Sequence, residues 1–365
     1  MINMNIIESL KNKTVLVTGH TGFKGSWLCL WLAELGANVH GFSLPPNTEP
    51  NHYTAARIAK LLKSEHLGDI RNRDEFTNYI HEVKPDCIFH LAAQPLVRRS
   101  YAKPVETFDA NVMGSIYLMD AVRTMEKPCS VVMITSDKCY ENVGKAEGYA
   151  ETDPMGGHDP YSASKGCAEI AISSYRRSFF PPDEIRKHGV SLASVRAGNV
   201  IGGGDWAEDR IIPDAVRAVT SGKSLEIRSP NAVRPWQHVL EPLFGYMLLA
   251  TQMMRTGSAV YADGWNFGPK ENGPAVTVAE IIETFYKVWG EGKAQYDTDA
   301  KHLHEAAYLT LSSKKAEIVL GWKQQWDAEK TINMTADWYK NYYAGADAQE
   351  LSLADIAAYK IHLEY

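Results

Sequence analysis

The feature that most restricts the fold of this chain is an apolar run, Thr14–Thr18, that ends directly in Gly19-His-Thr-Gly22-Phe-Lys-Gly25. It continues without a break as an apolar helical stretch over Phe23–Leu35. A strand that must turn at once into a helix lying on it needs glycine at set places. Gly19 permits the tight turn, Gly22 lets backbone come close to an anionic group, and Gly25 lets the helix approach the sheet. The helix N-terminus then presents unpaired N–H groups and the positive end of its dipole, a seat for a pyrophosphate. The spacing is GxxGxxG, and no Gly-Lys-Ser/Thr closes it, which excludes a Walker A loop. The pattern reads as a dinucleotide site at the first strand–helix junction.

The same alternation continues to about Arg196. Further strands are expected at Asn38–Phe42, His66–Ile70, Asp86–Leu91, Ser130–Ser136 and Val190–Val195, and helices at Asp74–Val83, Val105–Met125 and Tyr161–Phe179. Runs such as Val-Leu-Val and Val-Val-Met-Ile are continuously apolar, as in strands covered on both faces. The fold class is therefore α/β, a doubly wound parallel sheet of Rossmann type. Beyond Arg196 glycine and proline become frequent, and seven of the nine tryptophans lie past residue 205. Helices are expected at Pro213–Ser221, Leu240–Arg255, Val278–Trp289 and Thr331–Tyr343, and a run at Ser258–Phe267 is placed to return to the sheet as its last strand. At roughly 150 residues per domain the 365 residues suggest two. We assign 1–195 to the dinucleotide-binding domain, with about 236–265 returning to it. A smaller, interwoven α/β domain takes 196–365, mainly 196–235 and 266–365, to hold the substrate.

Composition narrows the partners. A net charge of −6 argues against nucleic acid and anionic membrane surfaces. No apolar run approaches the ~18 residues of a membrane span, and the N-terminus lacks the pattern of a signal peptide. Five cysteines, an odd number without a CxxC pair, read as free thiols of a reducing, cytoplasmic compartment.

Tyr161-Ser-Ala-Ser-Lys165 sets a phenol and an ammonium four residues apart, hence on one helix face. A cation beside the phenol favours phenolate, which makes Tyr161 a candidate base near neutral pH. Ser136 ends the fifth expected strand, and ligands in open α/β sheets bind at the carboxyl ends of strands. The second strand ends in Gly41-Phe42-Ser43, with neither an acid for ribose hydroxyls nor an arginine for a 2′-phosphate. On residues alone the choice between NAD and NADP stays open.

Together these residues resemble the extended short-chain dehydrogenase/reductases: GxxGxxG, a strand ending His90-Leu91-Ala92-Ala93-Gln94, Asn111, the serine after the fifth strand and YxxxK. The resemblance implies NAD as cofactor, held by Gly19, Thr21, Gly22, Phe23, Gly25, Asp69, Ile70, Leu91, Ala92, Ala93, Asn111, Thr135, Tyr161 and Lys165. It implies Ser136, Tyr161 and Lys165 as catalytic, and assembly as a homodimer or homotetramer. Within that family, Ser136-Asp137-Lys138 and the segments TGHTGFKGSWL and RAGNVIGGGDW resemble the sugar-nucleotide 4,6-dehydratases, with CDP-glucose as the implied substrate. Dehydration needs an acid and a base beyond the phenol, and Asp137 and Lys138 are suited to both, each moved toward neutrality by burial. Which of the two is acid and which base stays open. The Asn and Arg residues around Arg196-Ala-Gly-Asn199, Asp209-Arg210 and Arg234 are expected to hold the diphosphate. Gln94, Asn199, Arg210, Arg234, His304 and Tyr308 are the substrate-binding candidates.

Other signals carry less. His302-x-His304 has no third ligand at a recognisable spacing, so no metal site is expected. The C-terminal tryptophans read as packing. Arg98-Arg99 is too short a basic run for nucleic acid, and Cys139 and Cys167 read as small buried side chains.

Overall fold

The computed structural model describes residues 7–227, 229–270, 276–296 and 309–363. Seven parallel strands form the main sheet: β1 (Thr14–Thr18), β2 (Asn38–Ser43), β3 (Ser64–Leu67), β4 (Cys87–His90), β5 (Cys129–Ile134), β6 (Val190–Ala197) and β10 (Gly264–Phe267), in the order β10-β6-β5-β4-β1-β2-β3. Two short pairs complete the strands, β7 (Val200–Ile201) with β9 (Gln237–His238) and β8 (Ser224–Ile227) with β11 (Lys293–Tyr296). Strand order reverses on either side of β1, which pairs with both β2 and β4. The crevice for a ligand opens at that switch point.

Helices cover both faces. On one lie α1 (Phe23–Glu34) and α6 (Leu240–Thr256). α6 is buried almost all round from Leu240 to Thr251, because Trp322 and Trp326, with Tyr359 of the C-terminal helix α9 (Ala348–Leu363), close over its far side. Helix α8 (Ala328–Tyr343) packs against α9. A helix that is apolar on every side needs such cover. Trp206, Trp236, Trp265, Trp322, Trp326 and Trp338 are buried there as packing residues. On the other face α2 (Arg73–Val83), α3 (Pro104–Thr124) and α4 (Pro160–Ser178) pack Phe76, Ile80, Leu118, Val122 and Ile172 against β1, β4, β5 and β6. Helices α5 (Ile211–Thr220) and α7 (Val278–Trp289) complete the described set used below.

Several boundaries differ from the sequence reading, among them the last strand, which starts at Gly264 rather than Ser258, and three differences have a plain local reason. β3 ends at Leu67, because Gly68 makes the last bond to Ser43 and Asp69 then turns to accept from the Arg71 amide. β5 stops at Ile134. Thr135 still bonds Val195, but Ser136 caps a short 3-10 turn, Asp137–Cys139, its hydroxyl accepting from the Lys138 amide. α3 begins at Pro104 and contains one wide π turn, Asp109–Met113, which carries Asn111. Such turns bring a side chain out of helical register and are frequent at functional sites.

Candidate active site

The site forms where the end of β5 meets the start of α4. Asp159 caps α4, accepting from the Ser162 amide at 2.9 Å and its hydroxyl at 2.6 Å, and Pro160 occupies the first helical position. The Tyr161 amide, one of the donors a helix start leaves unpaired, goes to the Ser100 hydroxyl at 3.2 Å. Tyr161 and Lys165 are thereby fixed one turn apart, both buried. The Ser136 hydroxyl lies close enough to the Tyr161 phenol to act on its acidity.

The electrostatics depart from expectation. Burial pushes the Tyr161 phenol up to about 12, against the lowering effects of Ser136 and then Arg210. Lys165, its ammonium 3.5 Å from the Ile134 carbonyl, is brought down to about 8, again chiefly by burial. An i,i+4 spacing shows that two groups share a face. It does not show how far both are withdrawn from water, and here desolvation outweighs attraction.

Next to Ser136, Asp137 is buried. Its Oδ1 accepts from the Ser136 hydroxyl at 2.9 Å, while Oδ2 is buried without a hydrogen-bond partner among the described residues. Desolvation raises the carboxyl, although Lys138, Ser136 and Arg234 all act to lower it. Arg234 therefore lies within electrostatic reach of the reactive turn. Arg210 donates to Asp205 at 2.8 Å and bears on Tyr161. The sequence reading missed Lys24, which sits in the glycine motif. Its ammonium is 3.5 Å from the Tyr246 hydroxyl and is lowered to about 8 by burial and by Arg210 and Lys165, with Asp137 opposing. A lysine inside an otherwise apolar first helical turn was the available signal.

The dinucleotide seat fits its assignment. Gly19 has φ +73°, and a Cβ there would stand 2.8 Å from the Ala92 nitrogen, while one on Gly25 would stand 2.1 Å from the Gly19 oxygen. Gly22 caps α1 without a side chain, so the amides that start the helix at Phe23 keep room for an anion. Thr21 binds the Ser43 hydroxyl and Leu44 carbonyl, both at 2.8 Å. Leu91, Ala92 and Ala93 follow β4, with the Ala92 amide on the Thr18 hydroxyl at 3.2 Å. The carboxylate missing from the end of β2 has a neighbour on β3. Glu65 pairs with Gly41 in register and accepts from Tyr53 at 2.6 Å, with His20 at 2.9 Å.

Several candidates face protein rather than an open pocket. Asn111 accepts from the Gln94 amide at 2.8 Å and donates to the Gln94 carbonyl and the Ser164 hydroxyl. The Gln94 side chain bonds Leu96 and Thr107. Asp69 is bound at the surface by Arg71, and Ile70 packs against Gly114. Thr135 bonds Glu169, and Arg196, expected near a diphosphate, is spent on the same carboxylate. Asn199 is half-buried after β6, its carbonyl accepting from Gln237. Cys139 is buried as expected but Cys167 is exposed, because it falls on the outer face of α4. His302, His304 and Tyr308 lie outside the described residues.

Residues 16–335 match the family model described as GDP-mannose 4,6 dehydratase. The CDP-glucose 4,6-dehydratase of Salmonella typhimurium is 48% identical over 359 residues, covering 98% of each chain. Among solved structures, MoeE5 in complex with UDP-glucuronic acid and NAD superposes with a TM-score of 0.72 at 25% identity, over 90% of this chain and 99% of that one. The dTDP-glucose 4,6-dehydratase of Bacillus anthracis, in complex with NAD, shares the fold with a TM-score of 0.71 at 20% identity, over 92% and 99%.

Proposed function

The chain belongs to the GDP-mannose 4,6 dehydratase family, and from that premise we propose that it dehydrates CDP-glucose to CDP-4-dehydro-6-deoxyglucose with NAD. The observation that carries the reading is the turn after β5, in which Asp137 and Lys138 directly follow Ser136, with the Asp137 carboxyl buried and within electrostatic reach of Tyr161. An epimerase would need a hydride carrier and the phenol but no group to expel water. The base of the nucleotide is taken from the relative that is 48% identical.

Gly19, Thr21, Gly22, Phe23, Gly25 and Leu91 to Ala93 would hold NAD, and the carboxylate of Glu65 favours it over a cofactor bearing a 2′-phosphate. NAD bound there supplies the hydride acceptor at C4 and the hydride donor at C6. Tyr161 takes the O4 proton while Ser136 holds the oxygen, and Lys165 keeps positive charge beneath them. The resulting ketone acidifies C5. Lys138 removes that proton, and Asp137, whose carboxyl burial pushes up, gives a proton to the departing C6 hydroxyl as water. The base then returns a proton to C5. Arg210 and Arg234 hold the diphosphate. By this reading residues 1–195 and about 236–265 serve the cofactor, and 196–235 with 266–365 serve the sugar nucleotide, in the cytoplasm. The exposed Val105, Met113, Ile170 and Phe179 on and after α3 and α4 favour self-association through those helices. Among the described residues no helix is long and apolar enough to cross a membrane.

The test is incubation with NAD and, separately, CDP-, dTDP- and UDP-glucose and GDP-mannose. A 4-keto-6-deoxy product from CDP-glucose is expected. No ketone from any of them overturns the dehydratase reading, and a ketone from another donor alone overturns the CDP assignment.

A further inference from the structure

The reactive turn is flanked by Thr135 on one side and Tyr140 on the other, and both are tied to the same buried ion pair. The Thr135 hydroxyl donates to Glu169 Oε1 at 2.5 Å. The Tyr140 hydroxyl accepts from Arg196 Nη1 at 2.6 Å and donates to Asn266 Oδ1 at 2.8 Å. Between these anchors Arg196 grips Glu169 through Nε at 2.9 Å and Nη2 at 2.7 Å, and Ser194 donates to Oε2 at 2.8 Å. The guanidinium also lies 5.2 Å from the centre of the Tyr140 ring. The two charged side chains are only 3% and 5% exposed, so water does not loosen the lattice. Glu169 stands one turn beyond Lys165 on α4, the helix that also carries Tyr161.

We propose that Glu169 and Arg196, acting through Thr135 and Tyr140, are positioning residues that hold the Asp137–Lys138 turn in register with Tyr161 and Lys165. The turn is short: the buried Cys139 anchors it through its carbonyl, which accepts from the Gly156 amide at 2.9 Å, and the hydroxyls at its two ends add the tethers to the ion pair. Oxidation at C4 depends on α4 and on Ser136 at the Thr135 end of the turn, whereas loss of water depends on Asp137 and Lys138 nearer the Tyr140 end, and the ion pair is their shared reference. Loosening the Tyr140 tether therefore slows the second step more than the first. This inference rests on the dehydratase reading for its chemistry, but not for its geometry.

Tyr140→Phe and Thr135→Val each remove one tether and leave the ion pair whole. With NAD and CDP-glucose, stopped-flow absorbance at 340 nm should show Tyr140→Phe accumulating reduced nucleotide, because water loss slows about 10-fold or more while C4 oxidation changes less than about threefold. Without substrate, hydrogen exchange at the amides of residues 136–140 should quicken about 10-fold in either variant, with α1 unchanged. Equal slowing of both steps, or unaltered exchange in that segment, overturns the positioning role. A wild-type protein that yields no ketone defeats the dehydratase reading instead, and the exchange experiment still decides whether the pair holds the turn.

Discussion

Two buried carboxyls lie in neighbouring layers of this molecule, Asp137 in the wall of the site and Glu169 just beneath it, and burial leaves them in opposite states. Both are almost fully withdrawn from water. Asp137 receives a hydroxyl on one oxygen, has none on the other, and is pushed up. Glu169 receives Thr135, Ser194 and two bonds from Arg196, and is pulled down despite the same desolvation. What separates the two is thus the buried guanidinium paired with Glu169, and then the number of donors aimed at each carboxyl. The upper layer is left incomplete where chemistry is needed, and the lower layer is saturated to keep it in place.

Neutralising each carboxyl in turn is the strongest way to break that contrast. Asp137→Asn should cut turnover of CDP-glucose by roughly 10³-fold, the scale of a lost general acid, while thermal melting stays unchanged or rises. Glu169→Gln should do the reverse in kind. It leaves Arg196 buried without its charge partner, a loss of about 3–5 kcal/mol that denaturant unfolding would report. If the two variants behave alike, the division between layers is wrong.

The cations sharpen it next. Lys165 falls from its ordinary value to about 8, so its charge is present below that pH and lost above it. Lys24 sits at about the same value. Turnover should fall on the alkaline side with a midpoint near 8, and Lys24→Met should leave that midpoint in place if Lys165 is the group in control. A limb that moves in Lys24→Met assigns it to the glycine motif instead.

The smallest expected effect comes from a third buried carboxyl, Asp355 on α9, which resembles Asp137 in having an oxygen without a partner but lies away from the reacting groups. Burial raises it to about 8 from a free value of 3.8. The folded state then binds a proton that the unfolded state releases, so stability declines as pH rises through the window between those values. Asp355→Asn should recover about 1–3 kcal/mol at pH 8 and much less at pH 5, read from melting curves, without changing turnover.

Much of this architecture was legible in the chain. Continuous apolar runs marked the parallel strands, and GxxGxxG after the first of them located the switch point. Ser136-Asp137-Lys138 and YxxxK named five residues that the fold brings to one place. What stayed hidden depends on packing across long separations. Glu169 sits four residues beyond Lys165, a visible helical spacing, but nothing local says that Arg196 on β6 will claim it rather than a diphosphate. Ser136 looked like the last residue of a strand, yet its hydroxyl accepts from the Lys138 amide to cap a short turn, and the strand ends two residues earlier. The phenol of Tyr161 was expected near neutrality from its lysine, and only the depth of the site shows that desolvation prevails.

Removal of water across C5 and C6 by the Asp137–Lys138 turn leaves a mark at C5. The direct measurement is the reaction of the wild-type protein with NAD and CDP-glucose in deuterated water, followed by NMR and mass spectrometry of the product. The expected product is a 4-keto-6-deoxy sugar nucleotide carrying one solvent deuterium at C5. A ketone that retains its original hydrogen at C5, or a product changed only in configuration at C4, would contradict it.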